Sequence, residues 1–468
     1  MERIKTDLCV IGGGSGGLSV AAGAVQMGAN VVLIEGGKMG GDCLNYGCVP
    51  SKALIAAGEH AHAMTTGAPF GVTPVVPQVD YAAAKDHVRR VIAGIEPHDS
   101  VERFEGLGVK VIQAYGTFIS PTEVQAGEVI VEARRFVIST GSSPFVPPIP
   151  GLDQVKHYTN EDIFDLREQP EHLIVIGGGP IGMELAQAHA RLGSRVTVLE
   201  GMKALGKDDP ELAAIALERI RGEGVEIVEG AMASEITGEG GVTVKTKDGA
   251  SYTGSHLLMA VGRKANIDRL GLEKAGIKHD QAINVDASMK TTNKRVYAIG
   301  DVAGGLQFTH MAGYHAGVII RSALFGLPSK ATSRHIPWAT YTDPEIAQVG
   351  MTEAEAREAH GDKLEVARFE FAENDRARAE LKTDGLVKVM VVKGRPVGAS
   401  IVGAQAGELI QVWALAIANK MKMGQVAAMV SPYPTLGEVN KRAAGAYFSP
   451  RLFESDMVKR VVRFVQRF

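Results

Sequence analysis

Cysteine, net charge and long apolar runs are all scarce in this sequence. Its 468 residues include three cysteines and carry a net charge of -3. So balanced a charge provides no basic field to attract nucleic acid, and no apolar run approaches the length that spans a bilayer. The N-terminus also lacks the apolar core and cleavage site of a signal peptide. We therefore expect a cytoplasmic protein that binds no nucleic acid.

Two of the three cysteines, Cys43 and Cys48, stand close together in GGDCLNYGCVPSK, residues 40–52. A structural disulfide is rare in the cytoplasm, and a bridge across so short a loop constrains the unfolded chain little. A structural zinc site needs four ligands, whereas Cys9 lies in the apolar run LCVI as a core thiol. No metal site is expected, and a redox pair remains.

A glycine motif precedes the cysteine pair. Residues 7–35 read as a buried strand, a glycine turn, a helix and a second strand that ends in an acid. The pattern GxGxxG is formed by Gly12, Gly14 and Gly17, which suit a tight turn, a close approach to a pyrophosphate and close helix packing. Glu35 ends the second strand, where an acid accepts hydrogen bonds from a ribose. The segment predicts a dinucleotide site.

The same pattern recurs at residues 172–200, with Gly177, Gly179, Gly182 and a terminal Glu200. Two dinucleotides with a dithiol between them indicate an electron relay. An acid at position 200 repels a 2'-phosphate and favours NADH over NADPH. Lys203 lies near enough to weaken that preference, so NADPH stays open.

The chain resembles the flavin-dependent pyridine nucleotide disulfide oxidoreductases, a family that includes dihydrolipoamide dehydrogenase, glutathione reductase and mercuric reductase. The resemblance extends over nearly the whole chain, and its marks are the cysteine segment, both glycine motifs, AVGRKAN (260–266), YAIGDV (297–302) and TYTDPEIAQVG (340–350). It implies an α/β enzyme with two Rossmann-like domains, for FAD and NAD, and a C-terminal α+β dimerisation domain.

The resemblance also implies a domain layout. Residues 1–150 and 270–335 would bind FAD, residues 151–269 would bind NAD, and residues 336–448 would form the dimerisation domain. A basic amphipathic tail, residues 449–468, would follow. In this family the partner subunit completes each active site, so we expect a homodimer.

Several site residues follow from the resemblance. Thr140, Gly141 and Asp301 would line FAD. Lys52 and Glu184 match the pair beside the flavin N5 and the nicotinamide; alternatively, Glu184 is a surface acid on its helix.

The implied reaction passes a hydride from NADH to flavin and electrons from flavin to the disulfide of Cys43 and Cys48. By the family's geometry, Cys48 is the thiolate beside the flavin and Cys43 meets the substrate. We expect the pair to precede a helix over residues 53–63, whose positive end stabilises a thiolate.

One departure from the family concerns proton transfer. Members that act on thiols carry a His-Pro-Thr segment followed by Glu, whereas this chain reads SPYPTLGE, with Tyr433 in place of the histidine and Glu438 retained. No histidine occurs after His360, and tyrosine is a poor base at neutral pH. Mercuric reductases also lack this histidine, but they carry a C-terminal cysteine pair that is missing here. Tyr433 could equally be an interface aromatic without a chemical role.

Three functions stay open. The first is a reductase whose acceptor needs little proton assistance, such as a metal ion, a quinone or a small disulfide. The second is a dihydrolipoamide dehydrogenase, and the third is a non-catalytic redox-sensing flavoprotein.

The tail SDMVKRVVRFVQRF, residues 455–468, predicts an amphipathic helix. One face would carry the basic residues Lys459, Arg460, Arg463 and Arg467, and the other the apolar residues Val458, Val461, Val462, Val465 and Phe468. Such a helix lies on an anionic membrane or packs against its own dimer.

Overall fold

The computed structural model describes residues 1–238 and 240–468 of the chain. These residues form two compact units. The first contains Met1–Gly177, Ala188–Leu199 and Ala231–Thr332, and the second contains Gly178–Gln187, Glu200–Gly230 and Ser333–Phe468. The division into FAD, NAD and dimerisation segments stays a prediction.

Helices and strands alternate along the chain. Up to residue 144 they are β1 (Glu2–Ile11), α1 (Ser15–Gln26), β2 (Val31–Glu35), α2 (Gly41–Asn45), α3 (Cys48–Ala63), α4 (Tyr81–Ile95), α5 (Val101–Gly106), β3 (Lys110–Gln113), β4 (Gly116–Ser120), β5 (Glu123–Ala126), β6 (Val129–Ile138) and β7 (Ser142–Pro144). The next are β8 (His172–Ile176), α6 (Pro180–Arg191), β9 (Arg195–Glu200), α7 (Pro210–Gly222), β10 (Glu226–Glu229), β11 (Ala233–Thr237), β12 (Val242–Thr246), β13 (Ser251–Gly254), β14 (His256–Met259) and β15 (Arg263–Ala265). The last are β16 (Val296–Ala298), α8 (Thr309–Ile319), β17 (Pro337–Thr340), β18 (Glu345–Gly350), α9 (Glu353–His360), β19 (Leu364–Glu370), α10 (Asp375–Ala379), β20 (Leu386–Val392), β21 (Arg395–Gly403), α11 (Ala406–Leu409), α12 (Gln411–Ala418), α13 (Met423–Ala427), α14 (Glu438–Ala446) and α15 (Asp456–Val465).

The first unit is built on a largely parallel sheet. Strand β1 lies between β2 and β6 and runs parallel to both, so that Val10 pairs with Leu33 and with Val137. All three residues are buried, as expected for a parallel sheet covered on both faces. Strands β3 and β16 extend the sheet in parallel, and β5 and β4 continue it antiparallel. Because the carboxyl ends of β1 and β2 meet at one edge, the first glycine turn and Glu35 lie together.

A second parallel arrangement repeats this plan. Strand β8 pairs in parallel with β9 and β14, and the glycine turn after Ile176 leads into α6. Both predicted strand, turn, helix and strand units are therefore present.

The second unit contains an antiparallel sheet in the order β17-β18-β21-β20-β19. The predicted strand LVKVMVV is β20. The core beside this sheet contains Trp413 on α12, whose indole N–H donates to the Asn440 carbonyl on α14 at 2.7 Å.

A buried ionic cluster lies in the second unit. The side chain of Lys388 on β20 is 4% exposed and binds the carboxylates of Asp209 at 2.8 Å, Glu211 at 3.1 Å and Glu353 at 2.6 Å. A buried ammonium is stable only with such partners.

None of the helices within residues 1–238 and 240–468 combines the length and apolar character needed to cross a bilayer.

Candidate active site

The first glycine turn has the geometry of a dinucleotide site. Gly12 has a φ of +111°, and a Cβ there would lie 2.4 Å from the Ser139 carbonyl oxygen; a Cβ on Gly17 would lie 1.9 Å from the Gly12 oxygen. Side chains are therefore excluded at both positions. At Gly14 the nearest atom to an added Cβ is 3.8 Å away, and no side chain caps the N-terminus of α1. The helix amides thus face open space suited to a pyrophosphate, and the site fits FAD.

Glu35 lies at this turn, as predicted, with main-chain partners. Its carboxylate accepts hydrogen bonds from the N–H groups of Gly13 and Gly37. The acid therefore shapes the turn in addition to any contact with a ribose.

The second turn follows the same rules. Gly177 has a φ of +112°, and its Cβ would lie 2.3 Å from the Ala260 oxygen, whereas an added Cβ on Gly179 meets no atom within 4 Å. Gly182 is buried on α6. Glu200 accepts hydrogen bonds from Gly178 N–H at 2.7 Å and Met202 N–H at 2.8 Å, which matches Glu35.

The predicted FAD-lining residues lie beside β7 and β16. The Thr140 hydroxyl donates to the Asn266 carbonyl at 2.8 Å, and Gly141 has a φ of +67°. Asp301 accepts a hydrogen bond from the Ser142 hydroxyl at 2.6 Å. Burial raises the pKa of Asp301.

An arginine that the sequence reasoning gave no role joins this cluster to the cysteine segment. Arg263 donates to the Ser142 hydroxyl at 2.7 Å and binds the carboxylate of Asp42, which directly precedes Cys43, at 2.9 Å. It also lies 4.0 Å from Asp301. The available signal was its place in AVGRKAN, but that motif alone does not reveal its partners.

The two cysteines lie at consecutive helix ends. Cys43 is on the short helix α2, and Cys48 is the first residue of α3, so the expected helix begins at Cys48 and not at residue 53. The difference arises because Pro50 sits in the first turn, where its missing N–H costs nothing. Cys43 is half-buried and Cys48 is exposed; Cys9 is buried, and burial raises its pKa.

The environment separates the two thiols electrostatically. A hydrogen bond from the Cys43 thiol lowers the pKa of Cys48 to about 6, against the opposing effect of burial. The Thr309 hydroxyl, 3.5 Å from Cys48 Sγ, and the charge of Lys52 lower it further. Hydrogen bonding to Cys48 and burial raise the pKa of Cys43. Cys48 is thus a thiolate at neutral pH. Thr309 was missed because it is remote in sequence.

Lys52 and Glu184 occupy protected positions. Lys52 lies one turn after Cys48 on α3 and is half-buried. Glu184 on α6 is 6% exposed, and its carboxylate accepts a hydrogen bond from Tyr341 N–H at 2.9 Å. Glu184 is therefore buried, not a surface acid. The pairing of these two residues stays a prediction.

Tyr433 and Glu438 lie in the second unit. The Tyr433 side chain is 70% exposed, and its hydroxyl donates to the Asp375 carboxylate at 2.9 Å. This hydrogen bond and the nearby charge raise the pKa of Tyr433. Glu438 begins α14 and pairs with Arg442 at 3.0 Å.

The chain matches the pyridine nucleotide-disulphide oxidoreductase family over residues 6–316 and the family's dimerisation domain over residues 336–444. It is 32% identical to the mercuric reductase of Streptomyces lividans, with 97% of each chain covered. It is 34% identical to the dihydrolipoyl dehydrogenase of Geobacillus stearothermophilus, with 94% of this chain and 96% of the relative covered. Among solved structures, the Cu(II) complex of the HOCl-induced flavoprotein disulfide reductase RclA from Escherichia coli has a TM-score of 0.85 at 28% identity, with 94% of this chain and 99% of RclA covered.

The chain is therefore a flavoprotein of the disulfide oxidoreductase class. It belongs to the pyridine nucleotide-disulphide oxidoreductase family, whose enzymes use FAD and NAD(P)H. The predicted family, enzyme class and fold class are confirmed, and the dimerisation domain supports the predicted homodimer.

Proposed function

We propose that the protein is an NADH-dependent reductase whose acceptor is a thiophilic metal ion, with Cu(II) as the leading example. The observation that carries this proposal is the bond between Tyr433 and Asp375. At the position where thiol-active relatives hold a histidine, this chain has a phenol whose proton is held by a carboxylate. A metal-ion acceptor takes electrons without needing a proton from that position. The copper complex of RclA and the mercuric reductase relatives support a metal substrate.

The cysteines deliver the electrons in this proposal. Bound FAD supplies the route by which the hydride electrons of NADH reach the disulfide. NADH, one proton and the disulfide give NAD⁺ and the dithiol. The dithiol and two Cu(II) ions then give the disulfide, two Cu(I) ions and two protons. Cys43 meets the metal, and Cys48 holds its thiolate at neutral pH because Cys43, Thr309 and Lys52 stabilise the negative charge.

The remaining predicted residues bind and orient the cofactors. Gly12, Gly14, Gly17 and Glu35 would hold the ADP part of FAD, with Thr140, Gly141 and Asp301 along its length. Gly177, Gly179, Gly182 and Glu200 would hold the nicotinamide dinucleotide. Glu200 keeps a negative charge against a 2'-phosphate, and Lys203 lies 4.0 Å from the Glu229 carboxylate, which offsets its charge. NADH is therefore the favoured donor.

A dihydrolipoamide dehydrogenase is the second candidate. The similarity to the Geobacillus enzyme favours it, whereas Tyr433 argues against it. A non-catalytic redox sensor is less well supported, since Cys48 combines exposure with a depressed pKa.

An acceptor screen tests the proposal. Purified flavoprotein would be assayed for NADH oxidation without air, with Cu(II), Hg(II), menadione, lipoamide or glutathione disulfide as acceptor. We expect the highest kcat/KM with a metal ion and a loss of that activity in Cys43→Ser. Copper reduction would be measured separately with a Cu(I)-specific chelating dye.

Two outcomes would contradict the proposal. Lipoamide turnover at a rate equal to the best metal would favour the dehydrogenase. Undiminished metal reduction by Cys43→Ser would show that the electrons bypass the dithiol.

A further inference from the structure

The C-terminal helix α15 separates its residues into two faces. It covers Asp456–Val465, and the Ser455 hydroxyl caps it by accepting a hydrogen bond from Val458 N–H. At about 100° per residue, one side carries only apolar residues, which are Met457, Val458, Val461, Val462, Phe464 and Val465. The other side carries Asp456, Lys459, Arg460 and Arg463, and Arg467 follows the helix.

The apolar face of α15 is open to solvent. Met457 is 76% exposed, Phe464 62% and Val465 57%, and Phe468 just beyond the helix is 98% exposed. The preceding turn adds Phe453, at 72%. Contiguous exposed apolar surface of this kind marks an interaction site.

The location of α15 separates it from the family's dimer contact. The dimerisation domain matches residues 336–444 and ends before Asp456. Nothing in the matched domain accounts for three basic residues opposite an apolar face.

We propose that α15 binds the surface of an anionic phospholipid bilayer, lying parallel to it with the apolar face toward the acyl chains. Ten helical residues are about 15 Å long, half the thickness of the hydrocarbon core, so the helix lies on the bilayer and does not span it. Basic residues opposite an apolar face carrying phenylalanine are the pattern of interfacial helices.

Charge distribution favours lipid over a second copy of the chain. The chain as a whole has a net charge of -3, whereas the helix itself has three basic residues and one acidic residue. A second copy therefore presents no excess of negative charge comparable to an anionic lipid surface. Lys459, Arg460 and Arg463 are positioned to contact lipid phosphates while the valines enter the interface.

The test is co-sedimentation of the full-length flavoprotein with vesicles. One set contains phosphatidylcholine alone, and the other contains equal parts of phosphatidylcholine and phosphatidylglycerol. We expect binding to the anionic vesicles that weakens as salt increases. The double variant Arg460→Glu/Arg463→Glu should lower the partition coefficient by at least about tenfold, and Val461→Asp/Val465→Asp should abolish binding.

Controls separate this surface from general electrostatics. Lys274→Glu/Lys278→Glu makes the same change of charge at exposed positions outside the tail and should leave vesicle binding unchanged. Phe464→Trp should shift its emission to shorter wavelength on adding anionic vesicles.

No binding at low salt would overturn the proposal, as would equal binding by the two charge-reversal variants. If a second copy covers the apolar face instead, deleting residues 456–468 will weaken the dimer in sedimentation velocity, and vesicles will not shift the Phe464→Trp emission. All these readouts are independent of the electron acceptor.

Discussion

Replacing Cys43 by alanine tests the electrostatic asymmetry of the thiol pair. The hydrogen bond from Cys43 is the largest cause that lowers the pKa of Cys48 from 9.0 to about 6. At pH 7 a pKa of about 6 leaves roughly nine tenths of Cys48 as thiolate, whereas the ordinary value leaves roughly one hundredth. The pKa should therefore rise in Cys43→Ala, and the thiolate fraction at pH 7 should fall by at most about ninetyfold.

Cys43→Ser is the matched variant, because its hydroxyl still donates to the thiolate. The rate of Cys48 alkylation by iodoacetamide would be followed against pH by mass spectrometry, since the thiolate is the reactive form. The absorbance band of a thiolate against oxidised flavin provides an independent readout. We expect a lower midpoint in Cys43→Ser than in Cys43→Ala. Equal midpoints would refute the hydrogen bond as the cause, and a midpoint near 9.0 in both would refute the depressed pKa itself.

Three further predictions concern the donor, the proton-transfer position and the buried cluster. First, kcat/KM for NADH should exceed that for NADPH by at least about tenfold, or roughly 1.4 kcal/mol, because of Glu200; equal efficiencies in steady-state assays would contradict this. Second, Tyr433→His should raise dihydrolipoamide oxidation at least about tenfold, since acid-base assistance contributes about 10² to 10⁴, whereas Tyr433→Phe should leave ferricyanide reduction within about twofold; no gain with histidine would count against the proton-transfer argument. Third, Lys388→Met should lower the free energy of unfolding by about 3–5 kcal/mol, because Asp209 is left buried without its cation; denaturant unfolding measures this, and Lys388→Met/Asp209→Asn should recover part of the loss.

Local patterns predicted the dinucleotide turns correctly. The positive φ of Gly12 and the close contact at Gly17 follow from a short segment in which strand, turn and helix succeed one another. The start of α3 was harder to predict, because Pro50 is equally compatible with a preceding turn and with the first helical turn.

Contacts between distant segments could not be predicted in the same way. Thr309 reaches Cys48 from 261 residues away, and Arg263 reaches Asp42 through tertiary packing. Hydrogen bonds of this kind depend on how the sheet and helices assemble, and no spacing in the sequence encodes them. The bond from Tyr433 to Asp375, 58 residues apart, is a third example.

The double grip of Glu200 on Gly178 and Met202 constrains any engineering of the electron donor. Exchanging this acid for arginine, the direct route to a phosphate-binding pocket, would also remove the acceptor of two main-chain amides. The loop would then lose its shape together with its charge. A redesign for NADPH therefore has to keep the glutamate and add cations around it, for example by freeing Lys203 from Glu229. Here one side chain determines both the discrimination between donors and the conformation of the loop.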